Sequence, residues 1–122
     1  MRTWIFEIPG LPRMQNASGR RTHWAVIREE RAKWKRDVGF AVKAQGLPRK
    51  PLKKARLVLT RASSSEPDFD GLVSGFKAVI DGLVEVGLLA GDKPSVIGQP
   101  EYHWKKVGPN QGYIRVEVYD ES

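Results

Sequence analysis

Residues 68–87 read DFDGLVSGFKAVIDGLVEVG, and the fold turns on them. Stepped at 100° per residue, Leu72, Val73, Phe76, Val79, Ile80, Leu83 and Val84 fall in one apolar arc, as on a helix with one face against a core. The spacing predicts a helix from about Phe69 to Val86, stopped at Gly87. Asp70, Ser74, Lys77 and Asp81 align in a narrow polar stripe on the same helix. Between the two arcs runs a strip of Gly71, Gly75, Ala78 and Gly82. Glycine inside a helix costs ~1 kcal/mol relative to alanine. The strip therefore implies a backbone-close neighbour, either the first helix of this chain or a second subunit.

Upstream, Arg2 to Ile8 alternates like a half-buried strand and stops at Pro9-Gly10. Residues 10–21 read as a loop. Thr22 is placed to cap a helix running to about Gln45, ended by Gly46 with Pro48 beyond. Its inward stripe is Trp24, Ile27, Trp34, Val38, Ala41 and Val42. A basic connection over 47–54 leads to a strand from Arg56 to Thr60, and Ser63 to Pro67 form a polar loop ending at Asp68. Downstream, 87–94 form a turn, and strands are expected at about 95–105 and 113–119. The order βαβαββ predicts an α+β domain with two helices on one side of a small mixed sheet.

At 122 residues the chain fits one domain, since domains run roughly 100–200 residues. No apolar run approaches the ~18 residues of a membrane span. The N-terminus is too short and polar for a secretory signal. With no cysteine, disulfides and thiolate metal sites are excluded, and a cytoplasmic protein is expected. The net charge of +7 is unevenly spread. Residues 1–61 hold 16 Lys/Arg against 4 Asp/Glu, whereas 62–122 hold 5 against 10. A basic half beside an acidic half suggests a polyanion footprint and a cation site. Candidate phosphate contacts are Arg20, Arg21, Lys33, Arg36, Lys53 and Lys54.

Asp68 and Asp70 bracket one residue at the mouth of the second helix, and Asp92 follows it. The pair suits a shared site because residues two apart in an extended segment point to the same side. Magnesium takes oxygen ligands and keeps several waters, so two or three carboxylates from separate elements suit it, and manganese is a possible substitute. Such a site supports phosphodiester hydrolysis, with Lys77 orienting a phosphate or neutralising developing charge. Each residue also has a purely structural account. Asp68 or Asp70 serves as an N-cap, Lys77 and Asp81 as an i,i+4 pair, and Asp92 as a turn former. His23 and His103 lack ligand-spaced partners, the Ser63–Ser65 run lacks a G-x-S-x-G context, and no phosphate-loop motif is present.

The series Asp68-Phe-Asp70-Gly-Leu72, Lys77, Asp81-Gly-Leu83, Gly87 and Asp92 resembles the signature of the RusA family, Holliday junction resolvases of bacteria and their prophages. That pattern is roughly D-x-D-N-L, a lysine, D-x-L, a glycine and an acidic pair. The resemblance spans about residues 55–120 in element order, and Leu11-Pro12 through Asn16 resembles the family's N-terminal proline–asparagine loop. It implies a homodimeric α+β endonuclease that cuts four-way DNA junctions symmetrically with magnesium, in recombination and repair. Asp68, Asp70 and Asp92 match the metal-binding aspartates, and Lys77 the helix lysine. This chain departs in three places: Gly71 replaces asparagine, about three extra residues separate Asp70 from Lys77, and Gly91 replaces the first acid of the pair. The alternative is a non-catalytic nucleic-acid-binding or regulatory protein on the same fold.

Overall fold

The computed structural model describes residues 2–14 and 24–122. Thr22, as a helix cap, and Asn16, Arg20, Arg21 and His23 lie outside the described residues. The elements are β1 (Thr3–Pro9), α1 (Trp24–Gln45), β2 (Ala55–Ser63), α2 (Phe69–Gly75), α3 (Lys77–Glu85), α4 (Pro94–Ile97), β3 (Glu101–Lys106) and β4 (Tyr113–Asp120). The strands form one mixed sheet in the order β1-β4-β2-β3. β4 pairs antiparallel with both β1 and β2, and β3 lies parallel to β2 at the edge. This is the α+β class expected from the element order.

Register sets the core in rows. Trp4, Val118 and Leu57 stand abreast, and so do Phe6, Val116 and Leu59. All six are buried with Trp34, Val38, Phe76, Val79 and Leu83 from the helices in one cluster. The opposite face carries charge. Arg56 pairs with Glu101, Arg115 pairs with Glu7 and Glu117, and the Arg56 guanidinium lies over the Tyr119 ring. Helices therefore cover one side of the sheet and leave the other to solvent.

Helix ends follow local chemistry. At the C-terminus of α1, Gly46 adopts φ +90°, and Arg2 and the Trp4 indole donate to its carbonyl. A cation there also complements the helix dipole. α3 ends in a Schellman arrangement: Gly87 has φ +93°, its N–H donates to the Val84 carbonyl, and the Leu88 N–H donates to Leu83. The chain then returns to the core, where Leu52 and Leu88 through Ala90 exchange backbone hydrogen bonds.

Four expectations need correction. The long second helix is two helices, α2 and α3, broken at Phe76 (φ −95°, ψ 0°), whose N–H bonds the carbonyl three residues back at Val73. The expected strand at 95–105 begins only at Glu101, because Pro94 opens the helical turn α4 instead. β2 reaches Ser63 rather than Thr60, supported by β4 on one side and β3 on the other. Trp24 lies outside the inward stripe at 74% exposed, and Ile27 and Ala41 are only half-buried. α3 meets α1 at Lys35, Val38 and Gly39, well past its first turn.

The small-residue strip also finds its neighbours, within the same chain. A Cβ on Gly82 would sit 3.1 Å from the Lys35 Cα and 3.2 Å from the Val38 Cβ. One on Gly75 would meet the Arg61 guanidinium and Met14 at 3.7 Å. Close approach of α1 accounts for Gly82, and a partner subunit is not needed to explain it.

Candidate functional site

Asp68 is the N-cap of α2. Its backbone is extended (φ −70°, ψ 166°), and Oδ1 accepts the Gly71 N–H at 2.8 Å. Asp70 sits in the first helical turn, where a negative charge complements the orphan N–H groups. Both carboxylates are exposed. Because α2 already begins at Phe69, the strand rule for 68 and 70 does not apply, and residues two apart on a helix do not share a face. The exposed ring of Phe69 lies between them in sequence and packs edge-on against Tyr102 on β3, with centroids 6.5 Å apart.

Lys77 is the first residue of α3 and is exposed. It lines a cleft of about 320 Å³ with Ser74, Gly75, Arg13, Arg31 and Trp34. The helix break at Phe76 lies between it and Asp70, so the continuous 100° count no longer carries it to the aspartate face. Among the described residues, neither Lys77 nor Asp81 enters an ion pair. Asp92 is exposed on the turn between Ala90, which is bonded to Leu52, and Lys93, the N-cap of α4. Among the described residues, no group of three or more Asp, Glu or His side chains is arranged to hold a metal ion. The structure thus puts Asp68 and Asp70 at one helix terminus and Asp92 on a separate turn.

The proposed phosphate contacts are dispersed. Lys33 is already answered by Asp37 at 2.9 Å, and its ammonium lies over the Trp34 ring. Arg36 is exposed on the outer face of α1. Lys53 and Lys54 are exposed just before β2, whereas the loop carrying Asp68 leaves its other end. At ~3.3 Å per residue the ends of β2 are about 26 Å apart.

No family model matches this chain, and no curated protein matches it.

Two features were not read from the sequence. Arg61 occupies the core row of Ile8 and Ile114 and is only 8% exposed. One Nη donates to the Pro12 carbonyl at 2.9 Å, and among the described residues Nε has no partner. Desolvation pushes its pKa down. The short strand expected at 56–60 hid this residue, and extension of β2 brings it in. The second is a groove of about 640 Å³ along the flank of α1 beside the end of α3, running from Trp24 to Lys43 and bounded by Glu85 and Val86. Phe40, 68% exposed, belongs to it. Its absence from the inward stripe was a signal already present in the sequence.

Chemically, the N-terminus of α2 offers hard carboxylate oxygens to solvent, and α1 offers a cationic surface. The donor type fits magnesium, which is usually held by one or two carboxylates together with substrate phosphates and waters.

Proposed function

We propose that this protein is a magnesium-dependent endonuclease selective for branched DNA, a RusA-like resolvase of four-way junctions. The observation that carries the reading is the exposed Asp68–Phe69–Asp70 turn at the N-terminus of α2, in a chain whose longest helix presents a basic outer face. Asp68 and Asp70 would hold the ion, and Asp92, which the structure leaves on a separate turn, is the third donor that the resemblance implies. When bound, a divalent ion supplies Lewis-acid polarisation of the phosphoryl oxygen and a more acidic water. Lys77 orients a phosphate from the cleft beside Arg31. Basic residues of the N-terminal half dock the polymer, and a homodimer matches the two-fold symmetry of the junction. The site of action would be the cytoplasm.

The test is cleavage of a labelled four-way junction with Mg²⁺ and with EDTA. Mg²⁺-dependent paired nicks are expected. Binding without cutting in both Mg²⁺ and Mn²⁺ would leave the second reading, a non-catalytic nucleic-acid binder, which the basic groove of α1 supports without any metal.

A further inference from the structure

α1 exposes two large aromatics that the core does not use. Trp24 is 74% exposed and Phe40 is 68% exposed. They lie 16 residues apart, about 24 Å along the axis at ~1.5 Å per residue and about 160° around it at ~100° per residue, so a strand that reaches both winds part-way round the helix. Between and beside them the groove is lined by Arg28, Arg31, Lys35, Arg36 and Lys43, with Glu85 as its one acid. Glu85 is taken by Lys35 at 3.2 Å, while among the described residues Arg28, Arg31, Arg36 and Lys43 make no ion pair.

We propose that this groove is the track for an unpaired DNA strand, whose phosphates lie on the four unpaired cations and whose bases stack on Trp24 and Phe40. The proposal rests on the reading of the partner as DNA and names where the strand near a branch point goes. Charge complementarity selects a polyanion. The aromatics select the unpaired form, since a base can stack on a side chain only when its face is open. The path over both aromatics is longer than the axial ~24 Å, so it accommodates at least roughly four nucleotides, the low end of known single-strand sites.

An anionic membrane is the other polyanionic surface, and the layout disfavours it. A helix lying on lipid needs a contiguous apolar face. The apolar face of α1, with Trp34, Val38 and Val42, is buried in the core. The two exposed aromatics stand apart, with cations between them.

The test is titration of the whole protein with oligothymidylate in EDTA, read by anisotropy of a labelled oligomer and by tryptophan emission. Trp4 and Trp34 are buried and Trp104 is half-buried, so quenching on binding reports chiefly Trp24. We expect quenching that Trp24→Leu removes. We expect Phe40→Ala to weaken binding about tenfold. We expect Arg36→Glu with Lys43→Glu to flatten the salt dependence. All four side chains are exposed, and an unchanged melting temperature checks that each variant folds. Wild-type affinity and quenching in Trp24→Leu and Phe40→Ala would overturn the proposal. So would uptake by phosphatidylserine vesicles through the same two residues with no oligomer binding, or loss of a dimer in Phe40→Ala with oligomer affinity intact. If the variants lose oligomer binding while no preparation cuts a junction, the track stands and the nuclease reading falls. If junctions are cut while the variants bind as wild type, the reverse holds.

Discussion

Asp68 has two possible jobs, and the choice of substitution separates them. As N-cap it accepts the Gly71 N–H, a bond that asparagine can also accept. Asp68→Asn should therefore keep stability while removing the charge a cation needs, whereas Asp68→Ala should cost about 1 kcal/mol of stability as well. Asp70 has no capping bond to lose, and Asp70→Asn should nearly abolish junction cleavage while leaving binding intact or tighter. Thermal melts and cleavage rates on the same preparations check both, and wild-type cutting by the Asn variants of 68, 70 and 92 alike sinks the metal site. Arg61 poses a different question, because a buried cation whose Nε has no partner among the described residues is costly. Methionine fills similar length without the charge, so Arg61→Met should leave stability unchanged or raise it by about 1 kcal/mol, measured by urea unfolding. A loss larger than that would show that the tether to the Pro12 carbonyl, rather than the strand position, anchors the 10–14 segment.

At the scale of elements, two glycines on the same sequence strip should behave oppositely. At Gly82 an added methyl would press on the Lys35 backbone at 3.1 Å, and a packed helix backbone cannot step aside cheaply. Gly82→Ala should lose about 1–3 kcal/mol by overpacking, beyond any gain in helix propensity. At Gly75 the nearest atoms lie at 3.7 Å, an ordinary contact, so Gly75→Ala should be neutral or stabilising by up to ~1 kcal/mol. Urea midpoints of the pair would show the contrast, and equal losses would contradict the α1–α3 packing. The same contrast explains what could be read from sequence. The arc from Leu72 to Leu83 was legible because burial repeats at the helical period, and β1 because Trp4, Phe6 and Ile8 alternate. The break at Phe76 was not, since its ring still belongs to the apolar arc and only the backbone departs. α4 was missed because four residues are too few to show a period, although Pro94 is a good first helical residue. Of the site, the aspartates and their helix mouth were legible. Their mutual orientation was not, because it depends on whether helix geometry starts at 69 or later.

For the whole molecule, the basic N-terminal half predicts a steep loss of DNA affinity with salt. The log–log slope should be about −0.9 per phosphate neutralised on duplex arms, and a flat response between low and moderate ionic strength would reject a polyanion partner. Lys33 should contribute little to that slope because Asp37 already neutralises it, whereas Arg36 should contribute fully. Lys53 and Lys54, at the far end of β2 from the loop to Asp68, should matter only if the DNA crosses the whole sheet or a second subunit brings another site near them. Assembly then becomes the deciding property. Gly82 is packed against α1 and Gly75 faces Arg61 and Met14, so those glycines no longer argue for a partner. What remains is symmetry: paired nicks across a four-way junction need two sites related by a two-fold axis, and one chain carries one copy of the aspartate turn. Light scattering should therefore give twice 13.7 kDa for the free protein, or that mass in addition to the DNA once a junction is bound. A mass near 13.7 kDa for the free protein, with two protomers per junction in the complex, would place dimer formation on the DNA. One protomer per junction together with paired cutting would contradict the symmetry argument, since a single site would then have to turn over twice on one substrate.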